Sequence, residues 1–264
     1  MIIVGNSHVI LFKEGLILPN RNNEEIKIHW VGPITIDDFI EKKASTEKIK
    51  TLFKKENDWK FLSIGNHDVK NIVKLLESGE SKEAVLLAFK SKYEEVFEEL
   101  NIYGKFAWMI TLQQIRTIVS NNFKELELLA LAKEFNALIT ELCNTLKIPV
   151  INPLSEILGE NNSIDESFLD EEKMHFSPKA LPYYLKQLKE VTQENIESKY
   201  LLKLPSLNSS LFVDVEAFFS LLFETIGIPE TKQTNTKNLE AKAINFVKEI
   251  LKDKGITLKL NLDT

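Results

Sequence analysis

The chain has 264 residues, enough for one large domain or for one domain with an appendage. Hydrophobic residues make up 44% and charged residues 27%, an ordinary globular balance. The mild net charge of -6 argues against a nucleic-acid or anionic-membrane surface, and with only Arg21 and Arg116 among 33 basic residues, bidentate phosphate clamps are scarce.

Cys143 is the only cysteine, which rules out an intramolecular disulfide and a thiolate metal cluster. It sits in the helical pattern "LLALAKEFNALITELCNTL", where a buried, inert thiol is expected. Ile2 to Val4 is too short for the apolar region of a signal peptide and lacks a basic flank. No run approaches the roughly 18 apolar residues needed to span a bilayer. A soluble, cytoplasmic protein with no membrane or nucleic-acid partner is the expectation.

Taken in chain order, short apolar runs alternate with longer amphipathic stretches. The runs are "MIIVG", "IKIHWVG", "WKFLSIG", "FAWMITL" and "IPVIN". Apolar residues on consecutive positions mark strands buried on both faces. Helical patterns fall at about 36–55, 68–100, 122–146 and 178–195. Such alternation predicts a parallel sheet with helices on both faces and right-handed crossovers. Ligands of such sheets sit beyond the carboxyl ends of the strands. The pattern changes after residue 196. "LFVDVEAFFSLLFETIG" and "LEAKAINFVKEILKDKG" read as helices, "ETKQTNTKN" as a polar linker and "ITLKLNL" as a half-buried or edge strand. Residues 1–196 are therefore expected to form the α/β domain. Residues 197–264 are expected to form a mostly helical C-terminal extension, the candidate surface for a protein partner or a second copy of the chain.

Polar residues collect at the strand ends. The first run ends in Gly5-Asn6-Ser7-His8, the second in Gly32-Pro33 and the third in Gly65-Asn66-His67-Asp68. After the fifth, "SFLDEEKMHFSPKAL" carries His175 just ahead of a helix, with Ser177 a natural N-cap and Pro178 a natural first helical residue. Of the four histidines, His8, His67 and His175 fall in these segments and His29 lies just before Gly32. No two share His-x-x-x-His spacing and no cysteine joins them, so neither a metal nor another cofactor is expected. A phosphate-binding turn at "GNSH" is the weaker reading, for the chain has neither Gly-x-Gly-x-x-Gly nor Gly-Lys-Ser/Thr.

Together these blocks resemble the SGNH (GDSL-type) hydrolase superfamily over roughly residues 1–190. The features carrying the likeness are a serine in a Gly-x-Ser block after strand one, a glycine after strand two, an asparagine in a Gly-Asn block after strand three, and a late acid-x-x-His. Gly5-Asn6-Ser7 stands where the family has Gly-Asp-Ser. The resemblance implies a flavodoxin-like three-layer α/β/α fold with a five-stranded parallel sheet. It also implies a serine esterase or deacylase working through an acyl-enzyme, with Ser7 as nucleophile and His175 as base. The oxyanion donors would be the backbone N–H groups of Ser7 and Gly32 and the amide of Asn66.

The third block admits a second alignment, with His67 at the asparagine position and Asp68 as the closing acid. The acid three residues before His175 is Glu172; Asp170, five before, is the alternative, and a Ser–His dyad oriented by a backbone carbonyl is a third. His8, His67 and Trp30 are candidates for lining the pocket, whereas Trp108 belongs to the core. The implied substrate is a small-molecule or carbohydrate ester such as an O-acetylated sugar. An O-acyltransferase using the same residues and a non-catalytic SGNH-like binding protein are the two alternatives.

Overall fold

The computed structural model describes residues 1–12, 15–110, 118, 120, 122–157, 168–169 and 175–198. All lie within the unit Met1–Pro205, the first of two into which the chain divides.

The expected strands are present as β1 (Ile2–Gly5), β3 (Glu24–Trp30), β4 (Lys60–Ser63), β5 (Phe106–Met109) and β6 (Val150–Ile151), with β2 (Leu16–Leu18) and β7 (Glu197–Ser198) added. The sheet order is β6-β5-β4-β1-β3-β2-β7. β1 lies in parallel between β3 and β4, and β5 and β6 continue the parallel part. Counting the five parallel strands alone, the order is the flavodoxin-like 2-1-3-4-5.

The expectation of five strands is corrected to seven, because β2 pairs antiparallel with β3 and β7 antiparallel with β2. Three apolar residues after Gly15 are too few to show a period, and the pair Glu197–Ser198 has no strand signature. Those two residues, assigned from sequence to the extension, belong to the sheet. The helices and final strand expected beyond them lie outside the described residues.

β1, β4 and β5 are buried along their whole length, so each feeds both faces of the sheet. On one face Ile2, Val4, Leu62, Phe106 and Trp108 pack into a cluster with α1 (Ile36–Ile40), α2 (Ala44–Lys55), α3 (Asp68–Glu77), α4 (Lys82–Asn101) and α5 (Glu125–Thr145). On the other, Ile3, Phe61, Ala107, Met109 and Ile151 pack with a 3₁₀ segment at Ser7–Phe12, α6 (Leu154–Ile157) and α7 (Leu181–Thr192). The three-layer sandwich is thus assembled from alternate residues of the same strands. Cys143 is buried in the first cluster, where desolvation pushes its thiol up to about 12 and leaves it inert. No described helix is long and apolar enough to cross a membrane.

Two helices expected as continuous are broken. The 36–55 pattern divides at Lys42, whose φ is 55°, and the 68–100 pattern at Gly79, whose φ is +97°. After the second break Ser81 restarts the helix by accepting from the Ala84 N–H at 3.2 Å. A break needs only one left-handed residue, and the apolar period runs on across it. The start of α7 also differs from expectation. Pro178–Ala180 is a 3₁₀ turn, and Ala180 occupies the N-cap position without a side-chain bond. Arg21 ties the far end of the molecule together, pairing with Asp58 before β4 and with Glu194 after α7.

Gly5 is closely hemmed in within the sheet. A Cβ there would lie 2.4 Å from the Ser63 carbonyl oxygen and 2.8 Å from Val9 Cγ1. Because the nearest obstacle is backbone, Gly5→Ala should destabilise the fold by about 3 kcal/mol, the upper end of overpacking costs. Urea unfolding would measure this, and a wild-type midpoint would show that β1 and β4 are not in such contact.

Candidate active site

Register places Gly5 beside Trp30 on one side and Ser63 on the other, so β1, β3 and β4 end together. The chain leaves β1 at the point where strand order reverses, which opens a crevice beyond the carboxyl ends. Asn6-Ser7-His8, Val31-Gly32 and Gly65-Asn66 all follow directly from these strand ends.

Ser7 opens the 3₁₀ segment, and its Oγ lies 2.8 Å from His175 Nε2. These residues are 168 apart in sequence, so the contact is made by the fold alone. His175 is held through the residues that follow it. Leu169 and Phe176 form an antiparallel bridge, and the Ser177 N–H donates to the Phe168 carbonyl at 2.8 Å. Phe176 is buried against Tyr184 of α7, with ring centroids 6.1 Å apart. Tyr184 in turn donates its hydroxyl to the Ile110 carbonyl at 2.8 Å, just past β5. The His8 ring is buried and lies 4.9 Å from the His175 ring, tilted by 53°.

Asn6 is fully buried and uses both ends of its amide. Its Oδ1 accepts from the His8 N–H at 3.2 Å and its Nδ2 donates to Asn66 Oδ1. Asn66 is 2% exposed, and among the described residues its Nδ2 has no hydrogen-bond partner. An unmet buried donor costs about 1–3 kcal/mol, so such a group is kept for a reason. Gly32 adopts φ +87°, a conformation that favours glycine, and among the described residues nothing lies within 4 Å of where its Cβ would be.

The two candidates of the third block are placed differently. Asn66 is the residue locked against the first block, whereas His67 is half-buried at the N-cap of α3 and makes no side-chain cap. Burial, and then Lys70, hold the His67 imidazole below its usual pKa. Asp68 lies beneath the site. Its Oδ1 accepts from the Ile36 N–H at 3.0 Å and its Oδ2 from the Tyr93 hydroxyl at 2.5 Å, joining α1, α3 and α4. Complete burial pushes its carboxyl up to about 7 against the opposing pull of those two bonds.

Trp108 is fully buried as expected and donates its indole N–H to the Ile64 carbonyl at 3.4 Å, just before Gly65. Trp30 is 61% exposed at the end of β3. His29 pairs with Val4, a member of the cluster on the opposite face, and does not join Ser7. Glu172 and Asp170 lie outside the described residues. No group of three or more His, Cys, Asp or Glu able to hold a metal is found among the described residues. Asn6 is the residue that sequence reasoning passed over; the signal for it was the asparagine standing where the related block has aspartate.

No protein-family model matches the chain, and no curated protein matches it. Among solved structures it is similar to a lipase from a goat rumen metagenome, at 13% identity and a TM-score of 0.49 over 72% of this chain and 95% of that one. It is also similar to a lipase/acylhydrolase from Enterococcus faecalis, at 16% identity and a TM-score of 0.45 over 73% and 93% of the two chains. A third similar structure is an acetylxylan esterase from Geobacillus stearothermophilus, at 11% identity and a TM-score of 0.46 over 72% and 92%. No residue's role follows from likeness at this level. The strand order of this chain and the meeting of Ser7 with His175 stand on its own structure.

Asp68 gives the fold a pH signature. Unfolded, its carboxyl ionises near 4; folded, it holds its proton up to about 7. Between those values the unfolded chain has released a proton that the folded chain retains. Its contribution to stability is therefore full below about 4 and lost as pH rises through about 7. Asp68→Asn should flatten that part of the profile. Urea unfolding at pH 5 and pH 8 checks this, and an unchanged difference between the two would mean the carboxyl is ionised throughout.

Proposed function

We propose that this chain is a serine hydrolase of SGNH type that cleaves a small ester through an acyl-enzyme. The observation that carries the reading is the 2.8 Å contact between Ser7 Oγ and His175 Nε2 at the mouth of the sheet. A serine hydroxyl is a poor nucleophile until a base takes its proton, and this distance is within reach for that transfer. His175 is neutral with Nε2 unprotonated when it accepts from Ser7, so its Nδ1 carries the hydrogen. Glu172, or Asp170 in its place, is the acid assigned to hold that tautomer and to stabilise the imidazolium.

Ser7 Oγ attacks the ester carbonyl carbon while its proton passes to His175 Nε2. The carbonyl oxygen becomes an oxyanion, received by the backbone N–H groups of Ser7 and Gly32 and by the Asn66 amide. That Asn66 Nδ2 has no hydrogen-bond partner among the described residues supports this role. The open space on Gly32 leaves room for close approach of the substrate. Collapse of the intermediate breaks the bond to the alcohol oxygen, which takes the proton from His175. Water then attacks the acyl carbon, gives its proton to His175 and releases the acid, and the proton returns to Ser7.

His8, packed on His175, and Trp30, exposed beside Gly32, would border the bound ester, with His67 at the start of α3. An O-acetylated carbohydrate is the substrate class that the resemblance implies.

A fluorophosphonate probe tests the reading without a known substrate, because it needs only an activated serine. Peptide mass spectrometry should find one adduct, on Ser7, absent in Ser7→Ala. In His175→Ala the labelling rate should fall by about 10³ or more. Folded wild-type protein that forms no adduct on Ser7 would overturn the hydrolase reading.

A further inference from the structure

We propose that Trp30 is a specificity-determining residue: its exposed indole seats the alcohol half of the ester, and that half is a sugar ring. The inference rests on the serine-hydrolase reading above and names the substrate class of the same site. Register and alternation fix where the indole stands. Ile26 and Ile28 pack into the cluster on the second face of the sheet, so Trp30, two residues further along β3, faces the same way. That face carries the Ser7–Phe12 segment, Phe176 and α7. Trp30 pairs with Gly5, which faces this side as Ile3 does and has no side chain. β1 therefore puts no side chain between the indole and the turn to Ser7. Paired strands lie about 5 Å apart and two residues span at most about 7 Å, so the Cα atoms of Trp30 and Ser7 are within about 12 Å of each other. One ring and its ester arm bridge such a gap.

The backbone under the indole is fixed on one side, where the Val31 N–H donates to the Gly5 oxygen at 2.9 Å. On the other side β2 begins at Leu16, which pairs with Ile26, so β3 overhangs its antiparallel neighbour at Trp30. The indole is 61% exposed there. The other exposed large hydrophobics among the described residues, Ile40, Leu87, Ile102 and Leu126, lie on or at the end of α1, α4 and α5; Trp30 alone stands at the mouth of the sheet. Among the described residues no other ring, cation or hydrogen-bond acceptor engages its indole. This setting selects among ligands. A quaternary ammonium is held by several rings together, and here there is one. An aryl or long alkyl group gains most from full burial, which an open platform does not offer. A pyranose has a face of C–H groups and a rim of hydroxyls. It can lay that face on the indole, accept from the indole N–H at one hydroxyl, and keep the rest of its rim in water.

The experiment measures kcat/KM for ethyl acetate, phenyl acetate and each mono-O-acetate of methyl β-glucopyranoside, in wild type, Trp30→Phe and Trp30→Ala. The urea midpoint of each variant is checked first; if Trp30→Ala unfolds, Trp30→Thr, a good strand former, takes its place. For at least one sugar acetate, the ratio of its kcat/KM to that of ethyl acetate should fall about tenfold in Trp30→Ala, the order of a lost aromatic contact. Trp30→Phe, which keeps a flat face, should retain part of the ratio. A merely structural role would slow both acetates alike and leave the ratio where it was. An unchanged ratio, or a wild type that hydrolyses none of the sugar acetates, would overturn the inference, while a fluorophosphonate adduct on Ser7 kept the hydrolase reading intact. A fall confined to phenyl acetate would also overturn it, by making the occupant an aryl alcohol. A wild-type protein that does not label removes both readings.

Discussion

The space that a side chain at Gly5 would need is filled by the carbonyl oxygen of Ser63. That contact brings β1 and β4 together at their carboxyl ends, and three further bonds depend on it. The Asn6 N–H donates to the Ser63 oxygen at 3.3 Å, the Val31 N–H donates to the Gly5 oxygen at 2.9 Å, and the Asn6 side chain reaches Asn66. One glycine thus gathers the ends of β1, β3 and β4, and with them Ser7, Gly32 and Asn66. Below this knot, Asp68 uses its two oxygens to fix α1 and α4 to the start of α3. The polar residues at the surface of the crevice rest on polar residues that never see solvent.

The fourth member arrives from elsewhere. His175 is not carried by a parallel strand. The next residue, Phe176, is fixed by its bridge to Leu169 and by its packing on Tyr184, so the place of His175 depends on α7. The sheet positions Ser7 and the proposed oxyanion donors; the segment packed on the helix of its second face positions His175, the proposed base. The His8 ring sits against His175 where the two parts meet.

The parallel sheet was legible because strands buried on both faces leave unbroken apolar runs, and "MIIV", "KFLS" and "FAWM" are such runs. Ser7, His175, Gly32 and Asn66 were legible because each follows a strand end or precedes a helix, where a short polar cluster stands out against apolar sequence. β2 and β7 were not, since three apolar residues and a Glu-Ser pair carry no periodicity. The breaks at Lys42 and Gly79 were missed because a single left-handed residue interrupts a helix without disturbing the pattern on either side. The bonds of Asn6 to His8 and Asn66 were missed for a different reason: sequence spacing holds no information on the partners or the direction of a hydrogen bond.

The sequence distance between Ser7 and His175 has a bearing on how the molecule comes apart. Contacts that close long loops form late in folding, because the entropy of closure must be met first. His175 is tied to the cluster around α7: Phe168, Leu169, Phe176 and Tyr184 all pack there and not in the larger cluster around α3, α4 and α5. Local opening of α7 would separate Ser7 Oγ from His175 Nε2 while most of the helical signal persisted. Reactivity at Ser7 then becomes a finer gauge of an intact molecule than its secondary-structure content: a preparation can keep its sheet and most of its helices and already have lost its chemistry.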